Sequence, residues 1–168
     1  MQSTCDGDGA RWSPCRTELI RDIHVLFADN HPLTLSGLKS AVASQGDICV
    51  LPECSNRNRL RDAVHHHSPH VLLVSSEFLD EQLDEIGNLI AENVNLRVIL
   101  LTNRNDPEFF EDALRNGASG IFERQRPVEY IPLAIRTVMN GGFWFEQVLA
   151  ERMLDGMLNK RTKASTLD

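Results

Sequence analysis

His70–Phe78 reads HVLLVSSEF. Four apolar residues stand in a row, followed by two serines and a glutamate. The run is too short for an amphipathic helix, and Ser68-Pro69 ahead of it disfavours helix entry. A continuous apolar stretch of this length reads as a strand, Val71–Val74, covered on both faces. Its polar end leaves the core at Ser75 and Ser76.

The same reading extends in both directions. Ile23–Ala28 (IHVLFA) is an apolar strand ending at Asp29-Asn30. Pro32 then opens a helix carrying Leu35, Leu38 and Val42, since a missing N–H costs little in a first turn. Ile48–Leu51 is a second strand, and Asn56–His67 a helix stopped by Ser68-Pro69. Beyond Ser76, Asp80–Asn93 carries a helical stripe of Leu83, Ile86, Leu89 and Ile90. Val98–Leu101 is a fourth strand, followed by Thr102. Pro107–Asn116 is a helix stopped by Gly117, and Gly120–Phe122 is a fifth strand. Pro127–Asn140 is a helix whose first turns Pro132 should disturb. A further amphipathic helix is expected over Glu146–Lys160, with Val148, Leu149, Met153, Leu154, Met157 and Leu158 on a wide apolar face.

Five strands alternating with helices predict an α/β fold, a doubly wound parallel sheet. In the flavodoxin-like strand order 2-1-3-4-5, ligands bind at the carboxyl ends of strands one and three, where the order switches. Topology alone therefore selects Asp29, Asn30, Ser75 and Ser76.

The 168 residues suit one domain with extra chain; 42% are hydrophobic and 24% charged, as in a soluble globular protein. A formal net charge of −7 makes the chain a poor nucleic-acid binder by itself. No apolar run reaches the ~20 residues that span a bilayer, and the N-terminus lacks the apolar centre of a secretory signal. A cytoplasmic location with no membrane contact is expected. Residues 1–20 lack periodicity and read as a mobile extension. Cys5, Cys15, Cys49 and Cys54 match no zinc spacing; they are expected to be reduced, with Cys49 as core packing.

Several stretches, in order, carry a resemblance: VLFADNHPLTLSGL, SPHVLLVSS, RVILLTNRND, EDALRNGASGIFE and IRTVMNGGFWF. Together they resemble the CheY-like receiver domain of a two-component response regulator. The NHP triplet and the GASG-to-GGFWF spacing are similar to the NarL/LuxR-type subfamily. The resemblance covers Ile23 to Phe145. It implies a receiver over 21–143 and, over 144–168, a linker helix and tail leading toward a helix-turn-helix DNA-binding domain that this chain does not contain. It also implies transcription control, with DNA reached only through that absent domain, and a homodimer. Phe109, Phe110, Tyr130 and Ile131 are candidates for the pairing face, with core packing as the competing reading.

Receivers move phosphate from a histidine kinase to an aspartate ending strand three, with Mg²⁺ held near two acidic residues after strand one. The resemblance places the first acidic position at Asp29, which matches, and the second at Asn30, which does not. The acceptor position falls on Ser75, the hydroxyl position on Thr102, the lysine position on Arg124 and the aromatic switch position on Ile121. The usual Met-Pro after the acceptor is absent.

An acyl phosphate needs a carboxylate nucleophile, and Mg²⁺ favours anionic oxygens in a tight octahedron. With Ser75 and Asn30 in place of carboxylates, the nucleophile and the metal site are weakened together. The expectation is a pseudo-receiver that is not an enzyme, carries no cofactor, binds Mg²⁺ weakly or not at all, and leaves a cognate histidine kinase doubtful. Asp29 and Glu77 are the only weak candidates for a metal or substitute acceptor. Two alternatives stand beside this: a ligand-sensing domain with a neutral pocket at Asp29, Ser75 and Thr102, or a stand-alone interaction module. A hydrolase using Ser75 would have only His31 as base and lacks the G-x-S-x-G turn. The histidines of VHHHSPH (Val64–His70) point in different directions on a helix and read as a solvated end rather than a metal site. The acidic run Glu77–Glu85 is expected to be a solvated helix start.

Overall fold

The computed structural model describes residues 22–145, 154–156, 158 and 159. Five parallel strands form one sheet in the order β2-β1-β3-β4-β5. They are β1 (Ile23–Ala28), β2 (Ile48–Val50), β3 (Val71–Ser75), β4 (Arg97–Thr102) and β5 (Gly120–Glu123). The helices are α1 (Pro32–Val42), α2 (Leu60–His67), α3 (Asp84–Glu92), α4 (Pro107–Arg115) and α5 (Ile131–Met139).

Period-two alternation sorts each apolar strand between two cores. Leu26, Leu72, Val74, Val98, Leu100 and Ile121 face α2, α3 and α4. Val25, Phe27, Leu73, Ile99, Leu101 and Phe122 face α1 and α5. All of these strand residues are buried, and each large aliphatic side chain contributes about 1.5–3 kcal/mol of transfer free energy. The stiff, two-sided burial fixes register: Ala28 pairs with Val74, and Ser75 with Leu101. That brings the ends of β1, β3 and β4 level.

Local signals set the helix ends. Asp106 caps α4, its carboxylate accepting from the Phe109 N–H at 3.3 Å, and Pro107 follows in the first turn. Gly117 sits at φ +96°, a left-handed conformation that suits glycine after a helix. Pro132 does disturb its helix: Val128–Tyr130 form a 3₁₀ turn and α5 begins only at Ile131. Arg57–Arg59 form a similar turn ahead of α2, capped by the Asn56 side chain.

Two expectations need correction. The helix expected from Asp80 starts at Asp84. Phe78 and Leu79 are both buried, and seating this adjacent pair under the sheet turns the chain back first. The Glu81 N–H donates to the Ser76 carbonyl at 2.9 Å, and Asp80 and Glu81 take left-handed φ of 49° and 60°. The acidic run is thus mainly a turn, not a helix start, and two arginines pin it. Arg57 binds Asp80, Gln82 and Glu85, and Arg104 binds Glu81. Cys49, expected as a reduced core residue, is half-buried on the edge strand β2 and disulfide-bonded. Cys54 is the free, buried thiol among the described residues; burial raises its pKa and it donates to the Asn56 carbonyl at 3.2 Å.

Beyond α5 the chain returns to the sheet. Trp144 bridges Gly120 in parallel; its N–H donates to the Ser119 carbonyl at 3.1 Å and its carbonyl accepts from Ile121 at 2.9 Å. Its ring stacks on Phe122, centroids 6.4 Å apart. A Cβ at Gly120 would lie 3.1 Å from the Trp144 Cβ, so this close approach favours glycine. Of the expected last helix, residues 154–156, 158 and 159 are helical, and Leu154 and Leu158 are exposed. Most of that helix and the 1–20 extension lie outside the described residues.

Candidate functional site

The level strand ends place four polar side chains in one buried cluster. Asp29 follows β1, Ser75 ends β3 and Thr102 ends β4; all are 1% exposed or less. Arg124 follows β5, its backbone N–H donating to the Thr102 carbonyl at 3.0 Å.

Arg124 ties the cluster together. Its Nη2 donates to Ser75 Oγ at 2.8 Å and to Asp29 Oδ2 at 3.0 Å, and its Nη1 donates to Thr34 Oγ1 on α1 at 3.2 Å. A planar guanidinium can span three such acceptors at once; an ammonium has a different donor geometry. The other Asp29 oxygen accepts from the His31 N–H at 3.1 Å and lies 3.0 Å from the His31 ring Nδ1. Both carboxylate oxygens are therefore engaged within the protein.

The second hydroxyl pair sits beside it. Ser76 Oγ donates to Thr102 Oγ1 at 3.1 Å, and the same Thr102 oxygen accepts from the Arg104 N–H at 3.0 Å. Arg104 is itself held by Asp106, whose carboxyl lies below its usual range because of the Arg104 hydrogen bonds, and by Glu81.

Asp29, Ser75 and Arg124 meet through side-chain hydrogen bonds, and Thr102 joins them through its backbone carbonyl. Asn30 and Glu77 do not join: both are exposed, Glu77 on the turn beyond Ser76. Ile121 is buried among the α2–α4 core residues. Of the pairing-face candidates, Phe109, Phe110 and Ile131 are 4% exposed or less and belong to the cores, as the competing reading had it; Tyr130, at 45%, offers surface. Ser76, selected by topology alone, pairs with Thr102, whereas Thr34 is a partner to which the sequence reading gave no role. Thr34 was findable from the first helical turn after Pro32, but its partner lies 90 residues on.

The donor set does not fit Mg²⁺ well. Asp29 is the lone carboxylate in the cluster, its oxygens already accept from a cation and from His31, and hydroxyls of Ser75 and Thr102 carry no charge. Among the described residues no group of three or more His, Cys, Asp or Glu converges as a metal site. His65 and His66 are exposed at the end of α2. No described helix is long and apolar enough to cross a membrane.

No family model matches the chain. Curated relatives include the oxygen regulatory protein NreC of Staphylococcus haemolyticus (strain JCSC1435), 25% identical over 142 residues, which are 82% of this chain and 64% of that protein. NreC of Staphylococcus aureus (strain JH9) is 26% identical over 148 residues, 86% of this chain and 68% of its own length. The chain thus spans about two thirds of the length of these relatives. Among solved structures, the apo receiver domain of RcsB from Salmonella enterica serovar Typhimurium superposes with a TM-score of 0.73 at 23% identity, covering 80% of this chain and 99% of that one. A LuxR-family response regulator from Aurantimonas sp. SI85-9A1 gives 0.71 at 13% identity, over 82% and 99%. In fold the chain is a CheY-like receiver domain, and the response regulators it is similar to are of the NarL/LuxR type.

Proposed function

We propose that this receiver domain signals without phosphoryl transfer at the usual position. The observation that carries the reading is the Arg124–Ser75 hydrogen bond. A neutral hydroxyl ends β3 where a receiver presents its carboxylate, and a guanidinium donates to it while pairing with Asp29. A serine hydroxyl has no acyl oxygen to form the mixed anhydride, and among the described residues its hydrogen-bond partner is the Arg124 guanidinium, which is no base. His31, the one candidate, turns to Asp29 instead.

On this reading the domain is not an enzyme and needs no Mg²⁺. It belongs to a cytoplasmic transcription regulator of the NarL/LuxR type, pairs with a second copy, and reaches DNA through a helix-turn-helix domain outside this chain. That a similar response regulator, RcsB, was solved in complex with DNA supports a DNA-directed role by analogy. Population of an active state would then depend on something other than phosphate: a ligand, a partner or concentration.

The test is intact mass after incubation with Mg²⁺ and acetyl phosphate. An unchanged mass is expected. A gain of one phosphoryl group would overturn the proposal, and mapping it would show whether Asp29, Glu77 or another residue had taken the acceptor role.

A further inference from the structure

A cavity of about 210 Å³ lies between α1 and the segment following β5, and Arg124, which donates to Ser75, lines it. Its floor is apolar: Leu38, Leu101, Phe122 and Ile131, each 4% exposed or less. Leu33 and Val128 rim it and are both exposed. Thr34 and Arg124 line its polar side.

Two independent features point to an occupant. The first is Gly37. It lines the cavity from the middle of α1, and a Cβ there would meet nothing within 4 Å. Mid-helix glycine costs about 0.5–1 kcal/mol relative to alanine, and here no close packing requires it. What it does is keep a long side chain out of the cavity. The second is the Arg124 donor count. A guanidinium carries five N–H donors. Three hydrogen bonds to protein acceptors are made, to Asp29, Ser75 and Thr34. The remaining donors belong to a side chain that lines the cavity and is 18% exposed.

We infer that this cavity binds a small carboxylate with an apolar body, its head accepting from Arg124 and its body lying on the Leu38–Phe122 floor. The volume equals about seven waters at roughly 30 Å³ each, so a body of about six carbons fits and a drug-sized molecule does not. Because Arg124 also holds Ser75 and Asp29, an occupant here bears directly on the geometry of the former phosphorylation site. The inference does not depend on whether phosphate reaches Ser75. The larger cleft between α2 and α3, about 440 Å³, makes a poorer candidate for an anion with an apolar body, because Glu85 lines it and Leu60 and Leu89 are the only apolar residues of its lining.

The experiment is a titration of the ¹⁵N-labelled full chain with hexanoate and, separately, with hexanol, followed by amide shifts. Saturable shifts are expected at Thr34, Gly37, Leu38, Phe122 and Arg124, with hexanoate at least tenfold tighter than hexanol. Gly37→Leu fills the cavity and should abolish the shifts. Gly37→Ala, which adds a Cβ into open space, should keep them and controls for helix stability. Arg124→Met should erase the advantage of hexanoate over hexanol. The inference is overturned if the wild type shows no saturable shifts, or if Gly37→Leu leaves them intact. It is equally overturned if no ligand shifts appear and Gly37→Leu instead changes the concentration dependence of the molecular mass, since a second copy would then be the occupant.

Discussion

Replacing Arg124 with methionine keeps the length of the side chain and removes its charge and its donors. Three hydrogen bonds are lost, and Asp29, 1% exposed, loses the guanidinium that pairs with it. Breaking a buried ion pair costs about 3–5 kcal/mol; the 18% exposure of Arg124 and the two contacts from His31 favour the low end, about 3 kcal/mol. For a chain of this size that lowers Tm by about 6–12 °C, at about 2–4 °C per kcal/mol. Urea denaturation at pH 7 measures the cost directly. Asp29→Asn removes the stranded charge, so the double variant should be less unstable than the two single losses predict. A charged hydrogen bond of this kind implies a coupling of about 1.5–3 kcal/mol. A coupling below about 0.5 kcal/mol, the usual scatter for independent sites, would refute the claim that Arg124 is the central tie of the site.

Three further outcomes follow from the same geometry. Restoring carboxylates and lysine together, as Asn30→Asp, Ser75→Asp and Arg124→Lys, should let the domain gain one phosphoryl group from acetyl phosphate with Mg²⁺; a triple variant that folds and gains none would show that more than these side chains blocks the chemistry. His70 is pushed below its usual pKa of 6.5 by burial and by neighbouring His24, and its Nδ1 accepts from the His24 N–H at 3.0 Å. With the folded value depressed, the contribution of neutral His70 is present above pH 6.5 and is lost as pH falls through the folded value, so the urea midpoint should drop between pH 7.5 and 5 more in the wild type than in His70→Asn; equal drops would refute this. Gly120→Ala brings a Cβ within 3.1 Å of Trp144 and should cost about 1–3 kcal/mol by forcing the two segments apart. In a Trp12→Phe background the Trp144 emission should shift to the red, and an unshifted spectrum would show that the contact yields without release.

Much of the fold was legible because it rests on local pattern. A continuous apolar run such as Val71–Val74 has few other destinations than a doubly covered strand, and five of them fix the sheet. The switch-point argument then reached Asp29 and Ser75 before any resemblance was used, and the resemblance added Thr102 and Arg124. What stayed hidden depends on side-chain directions across long separations. That one guanidinium would reach Thr34, Ser75 and Asp29, separated from it by 90, 49 and 95 positions, is a rotamer fact. For Phe109, Phe110 and Ile131 the sequence leaves pairing face and core packing both open, because helical spacing says which residues share a side, not which side meets the sheet; all three are buried. The start of α3 was missed because Phe78 and Leu79 are claimed by the core, and local helix signals around Asp80 give way to that tertiary demand.

The return of Trp144 to the sheet has a consequence for handling and for shorter forms of the protein. At one margin of the sheet lies β2, only three residues long, too brief to template another strand. At the other lies β5, whose outer backbone groups are met by Trp144 through the Ile121 N–H and the Ser119 carbonyl. A chain ended after Met139 would keep every strand of the sheet yet leave those groups open, beside a bared Phe122 ring. Such a piece would be prone to pairing edge to edge and to precipitation, although nothing in its core had changed. The few residues after α5 thus cover the edge that β5 would otherwise present.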